Sequence, residues 1–71
     1  GEVVLQVHPD DNLGVAAVRW YVDGEELAAR LQAPYTAFIE LPSGNYLLEV
    51  VVEDQAGNAV RSEPISFTVT N

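Results

Sequence analysis

The sequence contains no cysteine and no lysine, and each absence excludes a class of chemistry. Without cysteine, the chain can form neither a disulfide framework nor a cysteine-ligated metal site, although this alone does not place it in the cytosol. Without lysine, it cannot form the isopeptide bond that joins lysine to asparagine or aspartate in self-cross-linked domains. No stretch approaches the ~18 apolar residues of a membrane span. We therefore expect a soluble module, with any export signal outside this sequence.

The charge is strongly one-sided, with eleven acidic residues against three arginines and a formal net charge of −8. This charge repels nucleic acid and anionic membrane surfaces, so neither is an expected partner. Three explanations of the acidic excess stay open: solubility of a small domain, cation binding, and an acidic or salt-rich environment. A chain of 71 residues forms one small domain, which we assign to residues 1–71.

Short apolar-alternating runs separated by turn signals predict an all-β fold. The turn signals lie at residues 23–24, 42–45 and 54–58. Runs repeated every ~8–12 residues are typical of a two-sheet antiparallel sandwich, because each strand shows one face to the core. Residues 9–14 are predicted to form a loop. The predicted strands are residues 2–8, 15–22, 26–30, 35–41, 45–53 and 60–70.

Alternation assigns one face of each predicted strand to the core. Pro64 predicts a kink or bulge in the last strand. Residues 25–31 also consist of helix formers, but the Asp-Gly turn before them favours a short edge strand. The predicted inward side chains are Val3, Leu5, Val7, Val18, Trp20, Val22, Tyr35, Ala37, Ile39, Leu41, Tyr46, Leu48, Val50, Val52, Ile65, Phe67 and Val69.

Five segments carry a family resemblance: residues 13–15 (Leu-Gly-Val), 18–24 (Val-Arg-Trp-Tyr-Val-Asp-Gly), 33–35 (Ala-Pro-Tyr), 44–46 (Gly-Asn-Tyr) and 54–58 (Asp-Gln-Ala-Gly-Asn). Their order and spacing resemble the bacterial immunoglobulin-like domains that occur as repeats in secreted and surface-attached proteins. The resemblance implies an immunoglobulin-like antiparallel β-sandwich of about six to seven strands. Such domains usually open with one more strand, so the first strand is either trimmed or absent, which leaves an open sheet edge.

The resemblance also implies a non-catalytic module, extracellular or on the cell surface, as in adhesins, surface-layer proteins and accessory regions of secreted glycoside hydrolases. Its expected partners are neighbouring domains of the same chain. The alternative is a recognition module that binds a protein or a glycan. We expect a monomer in preference to a dimer, and the open edge offers a pairing site for a strand from another chain.

Two loops hold the acidic residues that form the only predicted metal site. Asp10, Asp11 and Asn12 lie in one loop, Asp54 and Asn58 lie in another, and both loops are expected at the same end of the sandwich. Calcium takes six to eight oxygen ligands, so Asp10, Asp11, Asp54 and Asn58 are its candidate ligands. The alternative is ordinary turn chemistry, in which Asp and Asn side chains bond to their own backbone.

Other candidate sites are weak. His8 is the only histidine, and Ser43, Ser62 and Ser66 lack the glycine-flanked elbow of hydrolases, so no catalytic residue is predicted. Two of the three residues Glu40, Glu49 and Glu53 could in principle act as a general acid and a general base on a sugar. We expect instead that all three are ordinary solvent-facing residues of the sheets. Trp20 alternates with Val18 and Val22, which are predicted to face the core, so its side chain is predicted to face the core too. Tyr21 and Phe38 are then the outward aromatics, and they lie on opposite sheets. Two such aromatics make a poor platform for sugar stacking.

Overall fold

The computed structural model describes residues 1–8 and 14–70. In these residues it contains seven strands, joined by turns and loops, and no helix. Its strands are short and alternate in burial, as expected where each has one wet face. The seven strands are β1 (Glu2–Gln6), β2 (Val15–Val22), β3 (Glu25–Arg30), β4 (Thr36–Glu40), β5 (Gly44–Asp54), β6 (Ala59–Arg61) and β7 (Ile65–Val69).

The strands form two antiparallel sheets of unequal width. β1 pairs with β4 in a two-stranded sheet, whereas the five-stranded sheet has the order β3-β2-β5-β6, with β7 also paired to β5. The described chain is elongated, with principal extents of 40 × 20 × 18 Å. This is the all-β, immunoglobulin-like antiparallel sandwich that the sequence predicts.

The core lies between the sheets and is centred on Trp20. Trp20 is 1% exposed and Val18 is fully buried, and Leu5 and Ala37 of the smaller sheet, with Tyr35 just before β4, complete the buried cluster. Since a tryptophan buries more apolar surface than an aliphatic side chain, Trp20 is the main apolar anchor of the core. The predicted inward direction of Trp20 is confirmed.

A tight hairpin joins β2 to β3 and is tied to the central strand. Asp23 and Gly24 have φ values of 51° and 85°, the positive pair that a two-residue type I′ turn requires. The backbone N–H of Asp23 donates to the carbonyl of Leu47 at 2.9 Å, and the N–H of Leu47 donates to Asp23 Oδ1 at 2.9 Å. The turn therefore fixes both the hairpin and its position beside β5, and the helix considered for residues 25–31 is wrong.

A tyrosine side chain forms a hydrogen bond across the connection from β4 to β5. The hydroxyl of Tyr46 donates to the carbonyl of Pro42 at 2.6 Å, four residues upstream. This arrangement matches the tyrosine corner of immunoglobulin-like sandwiches, where a tyrosine at the start of a strand bonds back to the preceding corner. The ring of Tyr46 also stacks on Phe67, with the ring centroids 5.4 Å apart.

One strand of the prediction is wrong, and two side chains, Ile65 and Val51, lie on the predicted face but with an exposure that alternation does not indicate. The last predicted strand is divided into β6 and β7, and both pair with β5. Ile65, predicted inward, is 53% exposed, because the narrow two-stranded sheet does not cover it. Val51 lies on the outer face, as its alternation predicts, and is 8% exposed, as expected of a central strand covered on both sides; Arg19 and Arg61 are its register partners.

Candidate functional site

The loop between β5 and β6 is organised by the carboxylate of Asp54. Its Oδ1 accepts hydrogen bonds from the backbone N–H groups of Ala56 (2.9 Å) and Asn58 (2.8 Å), and its Oδ2 accepts one from the Asn58 side chain (3.2 Å). The hydrogen bonds from Asn58 are the main reason that the pKa of Asp54 lies below its usual value. Asp54 and Asn58 thus show the turn chemistry that was the alternative to a metal site.

The predicted calcium site is described only in part. Asp10, Asp11 and Asn12 lie outside the described residues, while the N–H of Gln55 donates to the carbonyl of Gly14 at 2.9 Å. This bond sets the loop of Asp54 beside Gly14, which follows the loop that carries the other candidate ligands. In the described ranges, no three His, Cys, Asp or Glu side chains come together as a metal site. Calcium binding by Asp10, Asp11, Asp54 and Asn58 stays a prediction.

Charged side chains on the outer face of the five-stranded sheet pair with one another. Arg19 lies between two acids: its Nε donates to Glu53, and its Nη1 donates to Glu26 at 3.3 Å. The hydrogen bond that Arg19 donates to Glu53 is the main cause that raises the pKa of Arg19. On the same face of the sheet, Arg61 of β6 donates to Glu49 of β5 at 2.9 Å. The guanidinium of Arg61 lies 5.4 Å from the ring centre of Tyr21. Sequence analysis missed this network, because it requires the strand register.

The glutamates considered as a catalytic pair do not converge. Glu49 and Glu53 are each paired with a different arginine on the five-stranded sheet, whereas Glu40 lies on β4 of the other sheet. General acid and base catalysis at a sugar requires two carboxyl groups that flank one bond, which this arrangement does not provide. The three glutamates are therefore part of the wet sheet faces.

The only histidine of the sequence, His8, lines a small open cavity. His8, Pro34, Tyr35 and Thr36 are among its lining residues, and its volume of about 150 Å³ is below the ~300–1,000 Å³ of typical ligand pockets. No serine occurs among the described residues that line it. Ser62 is instead engaged in the sheet, where its hydroxyl accepts a hydrogen bond from the N–H of Val50.

The exposed aromatics are divided between the two sheets. Phe38 is 64% exposed on β4, and Tyr21 is half-buried on β2, beneath Arg61. Tyr35 is buried in the core, so it does not extend either surface. A carbohydrate platform needs exposed aromatic rings on one face, and Tyr21 and Phe38 lie on different sheets.

Comparisons with known proteins support the class of fold that these observations define. No family model matches the chain, and no curated protein matches it. Among solved structures, the chain is similar to a fibronectin(III)-like module of CbhA from Clostridium thermocellum, with 26% sequence identity and a TM-score of 0.74. The similarity covers 96% of this chain and 74% of that chain.

The resemblance to bacterial immunoglobulin-like domains is confirmed. The two-sheet architecture, the buried tryptophan and the tyrosine corner agree with this class, and the similar solved module comes from a bacterial protein. The described residues contain no helix long and apolar enough to cross a membrane.

Proposed function

We propose that the chain is a non-catalytic structural module that spaces and presents neighbouring domains of a larger bacterial protein, either secreted or attached to the cell surface. The observation that carries this proposal is that all three arginines of the chain are engaged within the module. Arg19 and Arg61 pair with glutamates across strands, and Arg30 donates to the carbonyls of Thr36 and Ala29. These side chains stabilise the sheet surface and do not converge on a cleft.

The shape and the core of the module support the same role. A sandwich with one extent of 40 Å and two of about 20 Å or less separates whatever is attached to its ends. Its core is anchored by a fully enclosed tryptophan, and no buried polar side chain in the described ranges lacks a hydrogen-bond partner. An extracellular location is supported by the resemblance to modules of secreted and surface-attached bacterial proteins.

A module exchange in the parent protein tests this proposal. Residues 1–71 are replaced by an unrelated immunoglobulin-like module of similar length, and the activity of the neighbouring domains is measured. We expect this activity to be retained, because a spacer acts through its length and stiffness. In a parallel variant, Tyr21→Ala and Phe38→Ala are introduced without the exchange, and retention on polysaccharide columns is compared. Loss of parent activity on exchange, together with loss of polysaccharide retention in the variant, would show a recognition module instead.

A further inference from the structure

The turn between β2 and β3 contains the one aspartate of the sequence that is followed by a glycine, Asp23 before Gly24. Within the sequence, no asparagine is followed by glycine. An aspartate or asparagine side chain can react with the backbone nitrogen of the next residue. Glycine permits this reaction best, because it has no Cβ that crowds the nitrogen or restricts the backbone. Both residues of the turn are exposed, so water has access to them.

The reaction isomerises aspartate through a five-membered ring. The nitrogen of Gly24 attacks Cγ of the protonated Asp23 carboxyl group, the N–Cγ bond forms, and the proton of the nitrogen leaves with the carboxyl hydroxyl as water. Water then adds to one of the two ring carbonyls and breaks its bond to the nitrogen. Opening at Cγ restores aspartate, whereas opening at the main-chain carbonyl gives isoaspartate. Water is released once and consumed once, so no other reactant is needed.

The folded turn holds the reacting atoms apart. Asp23 has a φ of 51° and Gly24 has a φ of 85°, as in a type I′ turn. The first central residue of such a turn has a ψ of about 30°, which places the next nitrogen about 150° from Cβ around the Cα–C bond. Ring closure requires the nitrogen and Cβ to be nearly eclipsed around this bond. The ring therefore forms only after the turn has opened.

Two hydrogen bonds to β5 oppose this opening. The N–H of Asp23 donates to the carbonyl of Leu47 at 2.9 Å, and the N–H of Leu47 donates to Asp23 Oδ1 at 2.9 Å. The second bond holds the carboxylate itself, so the side chain must release Leu47 before it turns towards Gly24. β5 pairs with β2 on one side and with β6 and β7 on the other, so the turn is tied to a central strand.

We propose that Asp23 is the site at which the module forms isoaspartate, and that the turn and its bonds to Leu47 confine this modification to molecules in which the hairpin is open. The modification is spontaneous and takes water as its only co-reactant. Its rate in the folded protein then reports how often the β2–β3 hairpin opens. This inference is additional to the structural role of the module, and either can hold without the other.

Asp54 provides a comparison within the same chain. It is followed by Gln55, whose side chain crowds the nitrogen that would attack, and its Oδ1 accepts hydrogen bonds from Ala56 and Asn58. We therefore expect isoaspartate to form more slowly at Asp54 than at Asp23 in the unfolded chain, where only the following residue matters.

Isoaspartate at position 23 would damage the hairpin in which it forms. It adds one carbon atom to the main chain between β2 and β3, so the two-residue loop no longer has the geometry of a type I′ turn. The side-chain carboxyl group becomes part of the main chain, so the bond from Leu47 to Asp23 Oδ1 is lost. Among the described strands, β3 pairs with β2 alone, so we expect the modification to loosen β3 first.

Ageing of the chain in folded and unfolded form tests the proposal. The chain is incubated at neutral pH without denaturant and in urea above its unfolding midpoint, beside a synthetic peptide of residues 20–30. Cleavage after Arg19 and Arg30 releases the same fragment from the chain. Isoaspartate is located in this fragment by tandem mass spectrometry and counted by enzymatic methylation.

We expect isoaspartate to accumulate at Asp23 at similar rates in urea and in the peptide, and at least about tenfold more slowly in the folded chain. Absence of isoaspartate at Asp23 in urea would show that this residue is not the site. Equal rates in the folded and unfolded chain would show that the turn gives no protection. Either result would overturn the proposal.

Asp23→Asn is the matched variant for the role of the turn. Asparagine also favours a type I′ turn before glycine, and its side-chain oxygen can accept the hydrogen bond from Leu47. Its ring closure releases ammonia in place of water, so each event changes the mass of the fragment. We expect faster reaction than in the unsubstituted chain in urea, and again at least about tenfold slower reaction in the folded variant. Equal rates in the two conditions would contradict protection by the turn.

Gly24→Ala separates the chemistry from the fold. The rate in urea should fall, because the new Cβ hinders the nitrogen, whereas the ratio of the folded rate to the urea rate should rise, because the positive φ strains the turn. Gly14→Ala is the control and should leave both rates at Asp23 unchanged. Thermal melts check folding, and if Gly24→Ala does not fold, the unsubstituted chain and Asp23→Asn carry the test. An unchanged ratio in folded Gly24→Ala would overturn the assignment of protection to the turn.

Discussion

Val50 and Ser62 exchange two hydrogen bonds at the point where the last predicted strand is divided. The N–H of Ser62 donates to the carbonyl of Val50 at 2.8 Å, and the N–H of Val50 donates to the hydroxyl oxygen of Ser62 at 2.9 Å. A regular ladder would use a second backbone group here, but the chain leaves the sheet towards Pro64, and the serine hydroxyl takes its place. Ser62 thereby joins β6 to β7 along one edge of β5.

Ser62→Ala should destabilise the module. The substitution leaves the N–H of the half-buried Val50 without its partner, at an expected cost of about 1 kcal/mol in the free energy of unfolding. Urea unfolding followed by tryptophan fluorescence measures the change. Ser66→Ala, at an exposed position of β7, is the matched control and should have a smaller effect. An unchanged urea midpoint for Ser62→Ala would show that the hydroxyl is not needed.

Gly24→Ala should also destabilise the module, through its backbone alone. A Cβ at Gly24 would meet no heavy atom within 4 Å, but the φ of 85° is one that L-residues adopt at a cost of about 1–2 kcal/mol. Gly14 provides the control, because a Cβ there also has open space and its φ lies outside that region. The melting temperature should fall for Gly24→Ala and stay nearly constant for Gly14→Ala. Equal effects would contradict the type I′ turn.

Acid should weaken the module partly through Asp54. Hydrogen bonds in the folded loop lower the pKa of Asp54, so between the folded and unfolded pKa values the unfolded chain binds more protons. The stabilising contribution is therefore complete above the ordinary pKa of 3.8 and is lost as the pH falls below it. We expect stability to fall less from neutral pH to about pH 3 in Asp54→Asn than in the unsubstituted chain. Identical falls would show that this loop carries no such linkage.

Thermal melts with and without calcium distinguish the two interpretations of the acidic loops, a calcium site and ordinary turn chemistry. Oδ1 of Asp54 already accepts two hydrogen bonds from its own loop and Oδ2 accepts one, so the carboxylate is held in the turn without a metal ion. We expect calorimetric melts in EDTA and in millimolar calcium to coincide. A rise of several degrees with calcium would instead show that Asp10 and Asp11 complete a site with Asp54 and Asn58.

Sequence reasoning succeeded where a local rule determines the structure. The alternation of Val18, Trp20 and Val22 placed all three in the core, and Asp23 with Gly24 predicted the positive-φ turn. Strand β2 was predicted with its observed bounds, Val15–Val22. In each of these cases neighbouring residues alone supply the information, through period-2 patterning or turn geometry.

The details that alternation did not predict depend on which strands lie beside and over one another. Ile65 lies on the inner face of its sheet, as alternation predicts. Whether the opposite sheet covers its side chain depends on the width of that sheet, which no local sequence pattern encodes. Val51 has outward parity and is buried because Arg19 and Arg61 become its neighbours across the register. Pro64 did signal a break, yet the role of Ser62 in bridging it requires knowledge of the pairing with β5. Long-range register is the information that a single sequence lacks.

The pairing of β1 is tested most directly by amide hydrogen exchange, measured residue by residue with NMR. The structure predicts an alternation: the N–H groups of Val3 and Leu5 donate to β4 and should exchange slowly, whereas that of Val4 points away from β4 and should exchange fast. This pattern would show that, within residues 1–71, β1 pairs with β4 along one edge alone. Protection of Val4 equal to that of Leu5 would show that the second edge of β1 is also paired, and would contradict the account.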